Sequence, residues 1–215
     1  MRTESPFREL TEFETEKIVL CVAAQLLRYA GRYDERKYPP GELDRLRAAF
    51  TLPDSVSESD IEAALVWKYG KYSDTEKRNY PAAQRELAAR IARLWPENAM
   101  RPTQNPKDDF DRWRQLLGTT SFITICFLLH LVQPRRLPIL DKNNFLSVNR
   151  RLARVRPDFR ERKKKPSQFE DLLLVRDFGI AVLCRWEEYT NSEKPSADML
   201  DRYLMMRGKE WRDAR

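Results

Sequence analysis

An all-α fold is predicted on three observations. Apolar residues recur at three- and four-residue spacing along most of the chain, and helix-capping patterns precede those runs. No segment shows sustained period-two alternation bounded by hairpin turns. The elements follow in order. Thr11-Glu12-Phe13-Glu14 is a capping box opening a helix with Ile18, Val22, Leu26 and Tyr29 on one face, ending near Gly31. Pro39-Pro40-Gly41 breaks the chain before a shorter helix bearing Leu43, Leu46 and Phe50. Ser57-Glu58-Ser59-Asp60 starts the next, with Ile61, Ala64 and Leu65. Asn79-Tyr80-Pro81 begins a helix through Leu87, Ile91 and Leu94 that is expected to stop at Pro96. A Pro-punctuated loop then leads to a helix over Phe110–Leu117, and Ser121–Val132, apolar almost all round, reads as a buried central helix. Ser167-Gln168-Phe169-Glu170 caps a long helix through Leu173, Phe178, Val182 and Trp186. A last helix is expected from about Ser196 to Arg207, closed by Gly208.

With 215 residues, 41% hydrophobic and 34% charged, the chain is long enough to bury a core and too apolar to be disordered. Leu116–Val132 is too short and too polar-edged to span a bilayer, and the first residues lack the apolar core of a signal peptide. Cys21, Cys126 and Cys184 lie far apart and form neither a disulfide framework nor a zinc or iron–sulfur spacing. A cytoplasmic, metal-free protein is expected. Charge is more informative. Between Val132 and Lys165 stand twelve basic and three acidic residues, a local +9 within a total of +7, so the rest of the chain is slightly acidic. That concentration is the footprint of a polyanion-binding surface, although a solvated helix face followed by a basic loop would look the same.

Catalytic residue types are scarce. The single histidine, His130, sits in the most apolar helix and reads as a core residue with a satisfied hydrogen bond. No Ser-His-Asp or Cys-His arrangement, HExxH, Walker loop or GxGxxG pattern occurs. What remains is Leu137-Pro138-Ile139-Leu140-Asp141, an apolar turn delivering a carboxylate to the start of the helix over Phe145–Leu152. A helix N-terminus stabilises an anion, so Asp141 is expected ionised. Aspartate is also a favoured N-cap, which by itself accounts for the residue type.

This run resembles the helix-hairpin-helix (HhH-GPD) DNA glycosylase superfamily. The resemblance rests on a hairpin at Leu117-Gly118-Thr119-Thr120-Ser121-Phe122, an apolar helix at Ile123–Val132, the aspartate segment Leu137–Asp141, and the basic helix Phe145–Leu152. This core covers about forty residues. Two outlying segments, Ala64-Leu65-Val66-Trp67-Lys68-Tyr69-Gly70 and Leu200–Lys209, are similar to parts of small bacterial members, which would extend the likeness to the whole chain. The hairpin carries one glycine, Gly118, where family hairpins usually carry two. Phe122 or Ile123 stands where bifunctional members carry a lysine nucleophile, so no lyase step is expected from that position. The four-cysteine cluster loop of some members is absent.

The resemblance implies a two-lobed helical fold with the active-site cleft between lobes. Residues 56–144 would form a helical barrel carrying the hairpin and the catalytic aspartate, and residues 1–55 with 145–215 a terminal-helix lobe. It implies a monofunctional, cofactor-independent DNA glycosylase, acting as a monomer on duplex DNA and leaving an abasic site. Asp141 would stabilise the developing positive charge on the sugar and orient or deprotonate the attacking water. Gly118, Thr119, Thr120 and Ser121 would meet backbone phosphate, as would Lys142, Asn143, Asn144, Arg150, Arg151 and Arg154. A flipped base would be held by Trp67, Lys68, Tyr69, Tyr72 and Trp113, although both tryptophans equally suit core packing. The substrate is a damaged base, as in repair, or a hypermodified phage cytosine, as in antiviral defence; the polar Tyr69–Tyr80 loop would suit a bulky base. Two other classes stay open: a DNA-binding module that kept the scaffold and lost the chemistry, and an RNA-binding or protein-interaction helical domain.

Overall fold

The computed structural model describes residues 10–71, 81–162 and 165–214, and among them every regular element is helical, with no strand. No helix among these residues is long and apolar enough to cross a membrane. The chain divides into two compact units, Met1–Tyr33 with Leu137–Arg215, and Asp34–Arg136. The boundaries therefore fall at 33/34 and 136/137 where the resemblance implies 55/56 and 144/145. Asp141 belongs with the terminal helices, and the Leu43–Phe50 helix with the middle of the chain.

The terminal unit begins with α1 (Glu12–Ala23), whose capping box forms as expected: Glu14 N–H donates to Thr11 Oγ1 at 3.2 Å and Thr11 N–H to Glu14 Oε2 at 2.8 Å. The single helix expected up to Gly31 is two. It breaks at Gln25 (φ −124°) before α2 (Leu26–Ala30), and the Gln25 side chain turns to accept from Arg151 at 2.8 Å.

In the middle unit, α3 (Pro40–Phe50) starts on its proline and buries Leu43, Leu46 and Phe50. Next, α4 (Glu58–Lys68) is opened by a capping box between Ser57 and Asp60. Then α5 (Ala82–Asn98) continues past Pro96, because a proline in the last turn forfeits one hydrogen bond without forbidding the next residues, and Asn98 Nδ2 takes the Leu94 carbonyl at 3.1 Å. Helix α6 (Pro106–Leu117) starts earlier than expected, since Asn105 caps it and Pro106 fits the first helical position. A 3-10 turn at Thr119–Ser121 joins it to α7 (Phe122–Val132), nearly all of whose residues are buried.

After Leu137–Leu140 the terminal unit resumes with α8 (Lys142–Val155), α9 (Phe169–Cys184), α10 (Trp186–Thr190) and α11 (Ala197–Asp213). The α9 helix does not reach Trp186; the backbone breaks at Arg185, and Trp186 opens α10. Gly208 does not close α11 but lies inside it. A Cβ there would lie 2.5 Å from the Asn143 carbonyl carbon and 2.9 Å from its Cα, so this glycine permits α11 to cross α8 at backbone distance.

Candidate active site and nucleic-acid interface

The apolar residues before Asp141 anchor it: Leu137, Ile139 and Leu140 are buried. Asp141 then sits in extended conformation (φ −139°, ψ 177°) as the N-cap of α8, with Oδ1 accepting from Asn143 N–H at 2.6 Å and Asn144 N–H at 2.8 Å. This is the N-terminal amide pair of a helix holding an anion. The cap uses one carboxylate oxygen and leaves Oδ2 outside it, on a half-buried side chain.

The two asparagines serve this segment and not a phosphate. Asn144, 1% exposed, donates through Nδ2 to the Ile139 carbonyl at 2.9 Å and to Asp201 Oδ1 at 2.5 Å, tying the segment before Asp141 to α11. Asn143 is buried where Gly208 crosses and accepts from Arg212 Nη1 at 3.2 Å. Arg151 is likewise interior. Its guanidinium reaches Gln25 at 2.8 Å, the Tyr203 hydroxyl at 2.5 Å and the Cys21 sulfur, joining α8 to α1, α2 and α11. Burial pushes the Tyr203 hydroxyl above its ordinary range, against the pull of Arg151. These three residues are corrected from DNA contacts to internal braces. Lys142 and Arg154 are exposed; Arg150 is half-buried and paired with Glu161 at 3.1 Å.

In the middle unit, Gly118 ends α6 at φ 82°, a conformation that favours glycine, and Thr119 and Thr120 are exposed beside it. Ser121 is buried, with Oγ on the Leu117 carbonyl at 3.4 Å, and is not available to phosphate. Trp67 and Trp113 are core residues, 3% and 0% exposed. Trp67 stacks on Phe127 at 5.4 Å and donates to the Pro39 carbonyl, while Trp113 packs against Trp95 and donates to the Asn98 carbonyl. Neither offers a ring face to a base without unpacking the unit. Lys68 lies over the Phe127 ring at 5.2 Å, and the Tyr69 hydroxyl meets Thr124 Oγ1 at 3.0 Å. Tyr72 and the residues onward to Tyr80 lie outside the described residues, as do Lys163 and Lys164.

His130 is buried, and its Nε2 accepts from Arg47 Nε at 3.1 Å and Nη2 at 3.0 Å. An Nε2 lone pair engaged by a guanidinium places the imidazole proton on Nδ1, in keeping with a core role. Sequence reasoning missed two features. Asp109 is a carboxylate 1% exposed in the first turn of α6, pushed up by burial against the opposing Arg112. Trp211 lies beneath the guanidinium groups of Arg150, Arg151, Arg154 and Arg207. The four-residue spacings of Arg150 with Arg154 and of Arg207 with Trp211 carried that second signal. No group of three or more potential metal-ligating side chains occurs among the described residues. The chain matches no model of a known protein family, no curated protein and no solved structure.

Proposed function

We propose that the protein is a monofunctional DNA glycosylase with Asp141 as its catalytic carboxylate. The observation that carries this reading is a carboxylate held by two backbone amides through one oxygen, with the other oxygen outside the cap, at the head of a helix bearing exposed Lys142 and Arg154. In the reaction, the C1′–N bond of a flipped nucleotide breaks and the base departs with the bonding pair. Positive charge builds on the sugar, and Asp141 stabilises it. Water adds to C1′, passing its proton to the carboxylate, and an abasic site remains. Asn143, Asn144 and Asp201 act by positioning this segment. Thr119 and Thr120, exposed after Gly118, are the hairpin groups that would meet a phosphate. A damaged base and a hypermodified phage cytosine are the two substrate classes proposed.

A second reading, an inert DNA-binding module on the same scaffold, is favoured by one observation: both contacts to Asp141 Oδ1 are those of an ordinary N-cap. Base release decides between them. Wild type and Asp141→Asn are incubated with duplexes carrying uracil, oxidised or alkylated bases, and with phage DNA carrying modified cytosines. Free base is read by mass spectrometry and abasic sites by alkali cleavage. Release by wild type alone supports the enzyme. Silence across the panel with salt-sensitive DNA binding supports the module, and equal release by both proteins removes Asp141 from the mechanism.

A further inference from the structure

Two aromatic rings of the terminal unit are threaded with arginines in a continuous row. The Arg154 guanidinium of α8 lies over the Trp211 ring at 4.9 Å, and Arg207 of α11 covers the same ring at 4.4 Å. Arg207 also lies over Tyr29 of α2, at 4.9 Å, where Arg32 follows at 4.8 Å and Arg28 at 5.6 Å. Glu210 accepts from the Tyr29 hydroxyl at 2.5 Å and from Arg32 at 3.4 Å, and pairs with Arg207, while Glu161 pairs with Arg150, which also lies over Trp211. Arg28 and Arg154, at the two ends, are exposed and have no ion pair among the described residues.

Arg207, which joins the two rings, is turned inward onto the Tyr29 hydroxyl and Glu210, whereas Arg28 and Arg154 keep exposed guanidinium groups beside an aromatic ring, where contact with the ring has already cost them rotamer freedom. Guanidinium forks match phosphate oxygens two at a time. Two exposed forks at the ends of one arginine cluster suit a ligand whose anions repeat along a chain. We propose that this arginine–aromatic row is a binding strip for the phosphodiester backbone of a nucleic acid, separate from the chemistry of Asp141. The assignment shares the nucleic-acid partner of the proposed function but not its catalysis.

The test is fluorescence anisotropy of an unmodified end-labelled duplex between about 50 and 200 mM salt. The proteins are wild type, Arg28→Gln/Arg154→Gln and Arg28→Lys/Arg154→Lys. Both arginines are exposed, and an unchanged thermal midpoint checks that the fold is intact. Each lost phosphate contact lowers the slope of log K against log salt by about 0.9, so the glutamine pair should lose about 1.8. The lysine pair should keep the slope, with weaker binding because the fork is gone. An unchanged slope in the glutamine pair overturns the strip. Displacement of the duplex by polyglutamate at equal charge also overturns it, in favour of an acidic protein partner. A lowered slope in a protein that releases no base leaves the strip standing and removes the enzyme; base release with an unchanged slope does the reverse.

Discussion

Replacing Gly208 by alanine separates a helix stop from a helix crossing by the sign of the stability change. Inside an exposed helix, glycine to alanine stabilises by about 1 kcal/mol, through helix propensity and the lower entropy of the unfolded chain. At Gly208 the added Cβ would lie 2.5 Å from the Asn143 carbonyl carbon, about 1 Å inside the ordinary contact distance of ~3.5–4.0 Å. The obstacle is backbone, so no rotamer change relieves it, and α8 and α11 must move apart. Overpacking of this kind costs about 1–3 kcal/mol. Being against backbone it belongs at the upper end, leaving a net loss of about 1–2 kcal/mol after the propensity gain, or roughly 2–8 °C in the thermal midpoint. Gly179, inside α9, is the control: its added Cβ would meet only Leu200 Cδ2 at 3.9 Å, so Gly179→Ala should stabilise by about 0.5–1 kcal/mol. Urea unfolding of both variants gives the two signs. A Gly208→Ala protein as stable as wild type refutes the crossing. Base release should fall as well, because the displaced residue, Asn143, supplies one of the two amides on Asp141.

Further outcomes follow from the same contacts. Asp141→Asn keeps a good N-cap and should unfold within about 1 kcal/mol of wild type while losing base release; Asp141→Ala should lose about 1 kcal/mol more, by urea titration. His130→Ala removes one of the acceptors of Arg47, which also pairs with Asp44, and should destabilise by about 1–3 kcal/mol with the specific activity of the folded protein retained; selective loss of base release at unchanged stability would refute the core role. Trp113→Ala should cost about 3–5 kcal/mol in urea unfolding, with DNA binding lost only as the fold is lost. Burial raises the Asp60 carboxyl, but the hydrogen bonds from Ser57 and Arg45 outweigh it and hold it below its ordinary value. A depressed folded value contributes stability that is complete above the unfolded value of about 4 and lost as pH falls through the folded one. The stability gap between wild type and Asp60→Asn should therefore hold down to about pH 5 and close progressively as pH falls below about 4.

Features written in local sequence were legible and those made by distant partners were not. The caps at Thr11 and Ser57 need only three neighbouring residues, and both form. Burial of α7 and the N-cap position of Asp141 were legible for the same reason. Polar residues on α8 were read as outward-facing, yet Asn144 and Arg151 turn inward because Asp201, Gln25 and Tyr203 wait for them far along the chain. Gly208 shows the ambiguity of its residue type: the absence of a side chain serves a helix end and a close crossing equally, and only the neighbour at Asn143 decides. Trp67 is expected against a flipped base, but α4 extends to Lys68 and the ring stacks on Phe127. The candidate site thus keeps its carboxylate and part of its basic face, while two of its expected aromatic walls, Trp67 and Trp113, lie in the core.

Helix α8 links the two proposals by length. Asp141 caps its N-terminus and Arg154 lies in its last turn, so at about 1.5 Å per residue the carboxylate and the end of the arginine row are about 20 Å apart along the helix axis. One strand of B-form DNA advances about 3.4 Å per nucleotide, so about six base pairs cover that distance. Both groups sit on one continuous helix braced by Asn144, Arg151 and the Gly208 crossing, so a backbone seated on the row fixes where the carboxylate stands along the strand. Duplexes with a substrate base and about ten flanking pairs on each side should show the full salt slope for wild type and the reduced slope for Arg28→Gln/Arg154→Gln. With flanks of about three pairs the row is out of reach, and the two proteins should bind alike. A difference that persists undiminished on the short duplex would place the row beside the reacting nucleotide and refute the spacing derived from α8.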